Sequence, residues 1–147
     1  MGITMNQLEA ERKWPYVKFN GYNFLIENDV LIYEGVRINN GVSIGKGGWI
    51  ADGTSIGKAV KIGDNSIISH DVTIGKHTII GNNIWIGPCT NIGEGVEIHS
   101  CVSIGQRVTI EDNVKIGEGV EIEDWGKIPE NMKIEAYAII HRTFFKT

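Results

Sequence analysis

From Ile26 to Ile140, every sixth residue of the chain is isoleucine. A period of six belongs neither to a helix, at about 3.6, nor to an ordinary strand, at about 2. Two residues before most of these isoleucines stands a second inward candidate, small or β-branched, as at Val42, Thr54, Val60, Val72, Thr78, Thr90 and Val96. Positions two apart on a strand share a face, so both point to one interior. After many of the isoleucines comes glycine, as at Gly45, Gly57, Gly75, Gly87 and Gly105, and a tight corner with unusual backbone angles is the expected reason. A short strand and a corner every six residues make a polygonal coil.

The ends read differently. Thr4 to Lys13 suits a short helix, and Asn20-Gly21, between Val17-Lys18-Phe19 and Tyr22-Asn23-Phe24-Leu25, suits a hairpin. Residues 1–30 are therefore expected to cap the coil with a helix, a hairpin or both, since solenoid ends need cover. The coil itself is placed at 31–128, and the segment 129–147 after it as a tail running back along the coil or onto a neighbour, burying Tyr137, Ile139, Phe144 and Phe145.

The pattern resembles the hexapeptide-repeat acyltransferase family. Over roughly residues 30 to 130 the resemblance implies an all-β fold, a left-handed parallel β-helix of triangular section with three hexapeptides per turn. Sorting the isoleucines in rotation gives three faces. The residues just before them point outward and are mostly polar on two faces, as at Arg37, Ser55 and Thr73 or Ser43, Lys61 and Glu97. On the remaining face they are Leu31, Trp49, Ile67 and Trp85. A contiguous apolar stripe marks an interface. It is covered either by the chain's own ends or by other subunits, and the family resemblance implies a homotrimer packed through it.

His70 lies two residues after Ile68, at the corner leaving the apolar face. Its segment His70-Asp71-Val72-Thr73-Ile74-Gly75 is similar to one in hexapeptide acyltransferases, nearest to the amino-sugar N-acetyltransferases of the sialic acid and bacillosamine type. That resemblance implies His70 as general base, Asp71 as its orienting acid, and acetyl-CoA or another acyl-CoA as acyl donor to an amine or hydroxyl of a small acceptor, a sugar among the candidates. The chemistry agrees. Acyl transfer needs a proton removed from the acceptor, histidine titrates near neutrality, and a neighbouring carboxylate fixes its tautomer. Asp52, one coil below at the same corner position, is a second candidate acid. Trp85 is a candidate wall for the acyl-CoA, the Gly87 amide a candidate oxyanion donor, and Arg107 and Lys115 candidate partners for its phosphates. The plain alternative for His70 is a solvated corner residue.

Composition narrows the classes. A formal net charge of −4 lacks the basic footprint of a nucleic-acid module. No apolar run approaches the roughly 18 residues of a membrane span. The charged N-terminus, with Asn6 after Gly2, reads as neither a secretory signal nor a myristoylation site. Two cysteines, Cys89 and Cys101, suit a reducing compartment, so cytoplasmic is the expectation. No metal is expected: His99 and Cys101 make a two-ligand pair, His77 sits at a different corner from His70, and the histidine set of carbonic anhydrases of this fold is missing. Two other readings remain beside the transferase. One is a non-catalytic trimeric or polymerising β-helix scaffold, which the regular ladder suits even as an idealised array. The other, weaker, is a carbonic-anhydrase-like metalloenzyme.

Overall fold

The structure is a computed structural model that describes residues 3–142. It is a left-handed parallel β-helix of about seven turns with one short helix. Strands two or three residues long stack into three sheets of eight, seven and seven strands. From Phe24–Ile26 onward the strands pair in parallel with those eighteen residues on, so that Trp49, Ile67 and Trp85 fall in one column. The ladder isoleucines from Ile38 onward are all buried, and the column two residues earlier is buried beside them, from Val36 through Val120 wherever it is valine. A fully buried isoleucine is worth about 1.5–3 kcal/mol of transfer free energy, so repetition of one small unit supplies the core.

Four buried positions are hydroxylic, at Thr54, Ser66, Thr78 and Thr90. Each hydroxyl is satisfied twice. Thr78 Oγ1 donates to the Gly93 carbonyl at 2.8 Å and accepts from the Val96 N–H at 3.2 Å. Thr54, Ser66 and Thr90 make the same two bonds to Ser69 and Val72, Gly81 and Ile84, and Gly105 and Val108. Pairing removes the desolvation cost that an unmatched hydroxyl would carry in this interior.

The glycines after the isoleucines have a different cause from the one expected. Their φ angles are not positive. What they supply is room: a Cβ on Gly57 would meet Lys76 N of the next coil at 2.7 Å, and one on Gly87 would meet Gly105 C at 2.6 Å. The left-handed conformation belongs instead to the third residue after each isoleucine from Ile32 to Ile134. It is glycine at Gly53 (φ 72) but Asp71 (φ 57), Cys89 (φ 61), Arg107 (φ 56) and Trp125 (φ 67) in the coils above.

Both ends depart from the expected boundaries. Helix Gln7–Lys13 is present, capped by Asn6, whose side chain accepts the Glu9 N–H at 2.9 Å. No hairpin forms at Asn20-Gly21. Lys18–Asn20 pairs in parallel with Arg37–Asn39, and Phe24–Ile26 with Ser43–Ile44, so the two strands lie on different faces and Gly21 is a coil corner. The antiparallel partner of Phe24–Ile26 is Ile3–Met5. The coil therefore starts near Lys18, and Met5, Ala10, Trp14 and Val17 close its end over Phe19 and Phe24, whose rings meet edge-on at 5.1 Å. At the other end the coil continues past Pro129. Lys133–Ile134 and Ile139–Ile140 add further strands, and among the described residues Lys127–Ile128 is the outermost strand of its sheet. Tyr137 and Ile139 are exposed outward residues of that last turn rather than buried tail; Phe144 and Phe145 lie outside the described residues.

Candidate active site

The corner leaving the apolar face stacks two columns. The first carries Asp52, His70 and Pro88 in successive coils, and the second carries Gly53, Asp71, Cys89, Arg107 and Trp125. Successive coils are about 4.8 Å apart. The backbone ties the columns together: Asp71 N–H donates to the Asp52 carbonyl at 3.0 Å, and Cys89 N–H to the His70 carbonyl at 3.1 Å.

His70 Nδ1 lies 3.0 Å from Asp71 Oδ2, the two side chains 50 and 61% exposed to solvent. An ionised carboxylate only accepts, so Nδ1 carries the proton in this contact, and in the neutral imidazole the lone pair is then on Nε2. The left-handed backbone at Asp71 aims its carboxylate at the imidazole, and glycine at position 53, directly beneath, leaves the carboxylate its space. Of the two candidate acids, Asp71 is the one bonded to His70; Asp52 makes no side-chain hydrogen bond to a described residue.

The other sequence candidates divide. Trp85 stands on the apolar face, 43% exposed, between Ile67 and Ser103 in its column. Arg107 shares the Asp71 column two coils higher and lies over the Trp125 ring at 5.2 Å. Gly87 is not available as an oxyanion donor, because its N–H donates to the Ile104 carbonyl at 2.8 Å in the coil ladder. Lys115 is on a different face, 3.6 Å from Glu97, so one chain does not bring it to His70. His77 stands at the following corner, as expected, and His99 and Cys101 at the third.

Sequence reading gave Cys89 no role, although its place three residues after Ile86 puts it over Asp71. Donor atoms of His70, Asp71 and Cys89 lie within 4.8 Å of one another, the one such trio among the described residues. It also missed His141, whose Nδ1 is 2.7 Å from Glu123 Oε1. That bond, with the Arg142 N–H second, holds the Glu123 carboxyl below its ordinary value.

The stripe is as patterned. Leu31, Trp49, Ile67 and Trp85 share one sheet and are 55, 43, 39 and 43% exposed, so no described segment of the chain covers them. Tyr33 extends the patch, its ring 5.8 Å from that of Trp49. Ile79 adds an exposed apolar residue to a face expected to be polar.

A profile of the bacterial transferase hexapeptide, six repeats, matches residues 53–88 and again 89–124. The chain carries that hexapeptide repeat over those residues. Among solved structures the chain is similar to a Bacillus cereus protein assigned as an acetyltransferase, at 20% identity and a TM-score of 0.77, covering 84% of this chain and 77% of that one. A hexapeptide transferase family protein from Anaplasma phagocytophilum gives 18% identity and a TM-score of 0.79, covering 85% and 78%. The acetyltransferase domain of PglB from Neisseria gonorrhoeae, in complex with acetyl coenzyme A, gives 18% and 0.62, covering 84% of this chain but 56% of that one. Likeness at these identities is likeness of fold. No curated protein sequence matches the chain. No helix among the described residues is long and apolar enough to cross a membrane.

Proposed function

We propose that the protein is an acyltransferase that moves an acyl group, acetyl in the first instance, from acyl-CoA to an amine or hydroxyl of a small acceptor, with His70 as general base. The observation that carries this is the His70 Nδ1 to Asp71 Oδ2 contact of 3.0 Å, which in the neutral imidazole puts the proton on Nδ1 and the lone pair on Nε2. Nε2 takes the acceptor's proton as that atom attacks the thioester carbonyl, and Asp71 stabilises the imidazolium that forms. The thiol of CoA leaves with a proton returned from His70. An amino sugar of the sialic acid or bacillosamine precursor kind is the acceptor class to try first. The fold likeness to an acetyltransferase domain holding acetyl coenzyme A supports the donor.

The single chain presents His70 on an open ridge, and its sides are where a second subunit belongs. Packing of Leu31, Trp49, Ile67 and Trp85 in a homotrimer would turn that ridge into one wall of a groove. Trp85 then walls the acyl-CoA and Arg107 meets its phosphates; Lys115 reaches such a groove only from a neighbouring subunit. A cytoplasmic location fits an acyl-CoA donor. Calorimetry with CoA and acetyl-CoA, on wild type and His70→Ala, tests the reading: roughly micromolar binding retained in the variant supports it, and an acceptor screen then tests His70 as base. Binding to neither protein favours the scaffold reading, which the uninterrupted repeat supports.

A further inference from the structure

We propose that His70, Asp71 and Cys89 form a three-donor site for a borderline-soft divalent metal of the zinc class, placed at the corner rather than at a loop. Imidazole, carboxylate and thiolate are the donors that Zn2+ and Co2+ accept together, and three protein ligands leave the fourth tetrahedral position to water. The donor atoms lie within 4.8 Å of one another. Bonds of zinc to such ligands put them about 3.4–3.6 Å apart, and the exposed His70 and Asp71 side chains can turn towards the half-buried Cys89.

The frame is fixed by the coil. Asp71 and Cys89 occupy one column in consecutive coils, both left-handed, with φ of 57° and 61°. Their side chains therefore leave the corner in the same direction. The Cys89 N–H to His70 carbonyl bond sets the third donor's backbone against the second coil. Charge agrees as well: one carboxylate and one thiolate balance a divalent cation, Asp52 lies below, and the nearby cation of the column, Arg107, leans on Trp125. Binding through Nδ1 moves the proton of that nitrogen to Nε2 and releases the Cys89 thiol proton to solvent, and no electron moves. If the acyltransfer reading holds, an occupied site also withdraws the His70 lone pair, so zinc inhibits transfer; that consequence alone rests on that reading.

The test is a Co2+ titration of the reduced full-length protein, followed by the thiolate-to-cobalt charge-transfer band, and a matching Zn2+ titration by calorimetry. We expect one equivalent per chain. Loss of a metal's outer partners already costs about 10- to 100-fold in affinity, so Cys89→Ser and His70→Ala should each lose at least that much, and Cys89→Ser should lose the band. Cys101→Ser should keep it. Circular dichroism of each variant checks that the coil is intact. No band in the wild type, or a band that survives Cys89→Ser and disappears with Cys101→Ser, overturns the site. Acyl transfer is not used in either titration, so its failure and the failure of the metal site are separate results.

Discussion

His70 is held at 3.0 Å, Nδ1 to Oδ2, by the residue that follows it in sequence. Neighbours in sequence rarely face each other on a strand, where side chains alternate. They do so here because Asp71 is left-handed and turns its carboxylate back along the corner.

That relationship sets the first expectation. With an acceptor found by screening, His70→Ala should lower kcat by about 10²- to 10⁴-fold, the usual share of general base catalysis. Asp71→Asn keeps a residue that tolerates the left-handed region but puts an amide where the carboxylate was. It should lower kcat less than His70→Ala while leaving KM nearly unchanged, with partial recovery in Asp71→Glu. Equal activity of Asp71→Asn and wild type would remove Asp71 from the mechanism.

The apolar column makes a statement about assembly. Trp49→Lys places a charge amid Leu31, Ile67 and Tyr33 on one face, and the proposed trimer should fall to monomers by light scattering. A wild type that is already monomeric, or a variant of unchanged mass, assigns the stripe to another partner.

Glycines at two kinds of position should respond differently to alanine. A Cβ at Gly75 would meet Gly93 C at 2.5 Å and Glu94 N at 2.6 Å, so Gly75→Ala forces coils apart and should cost about 1–3 kcal/mol. Gly35, at φ 76, has its nearest neighbour at 3.5 Å, so Gly35→Ala pays backbone strain alone, about 1–2 kcal/mol. Urea midpoints of the two variants measure this; equal and negligible shifts would refute the steric account of the ladder glycines.

Thr78→Val removes a hydroxyl that bonds both the Gly93 carbonyl and the Val96 N–H. We expect a loss of about 1–3 kcal/mol in chemical denaturation, and a smaller one for Thr78→Ser.

Glu123 offers a pH test. Its carboxyl is lowered from 4.5, first by the His141 hydrogen bond and then by the Arg142 N–H. A carboxyl depressed in the folded state binds fewer protons there than when unfolded. Its stabilisation is therefore present above the unfolded value and lost as pH falls through the folded one. Carboxyl NMR should place the Glu123 midpoint below that of the same residue in His141→Ala.

The coil was legible because its period of six has no competitor; the family resemblance implied three sides, and counting then sorted the residues onto them, so that Trp49, Ile67 and Trp85 stand in the expected column. The ends were not legible for a physical reason. Asn20-Gly21 has the chemistry of a hairpin turn, but here the same residues turn a coil corner, and tertiary pairing with Arg37–Asn39 decides between them. Pro129 reads as a stop, yet Lys133–Ile134 and Ile139–Ile140 pair beyond it. At the site, His70 and Asp71 were readable from adjacent letters. Cys89 was placed by the count one coil above that corner but given no role, because the shared left-handed conformation of Asp71 and Cys89 is not written in the letters. The Gly87 amide looked free in sequence and is spent in the ladder.

The parallel step of eighteen residues that aligns Trp49 with Ile67 has a consequence for how such a chain can change length. Removal of one whole turn would shorten the prism and carry every column through unbroken. Removal of a single hexapeptide would rotate all later residues by one face, parting the upper apolar residues from the lower and moving each later corner to the next edge. Length in this architecture is thus counted in a coarse unit, and a lineage can gain or shed material above His70 without disturbing it only in whole turns.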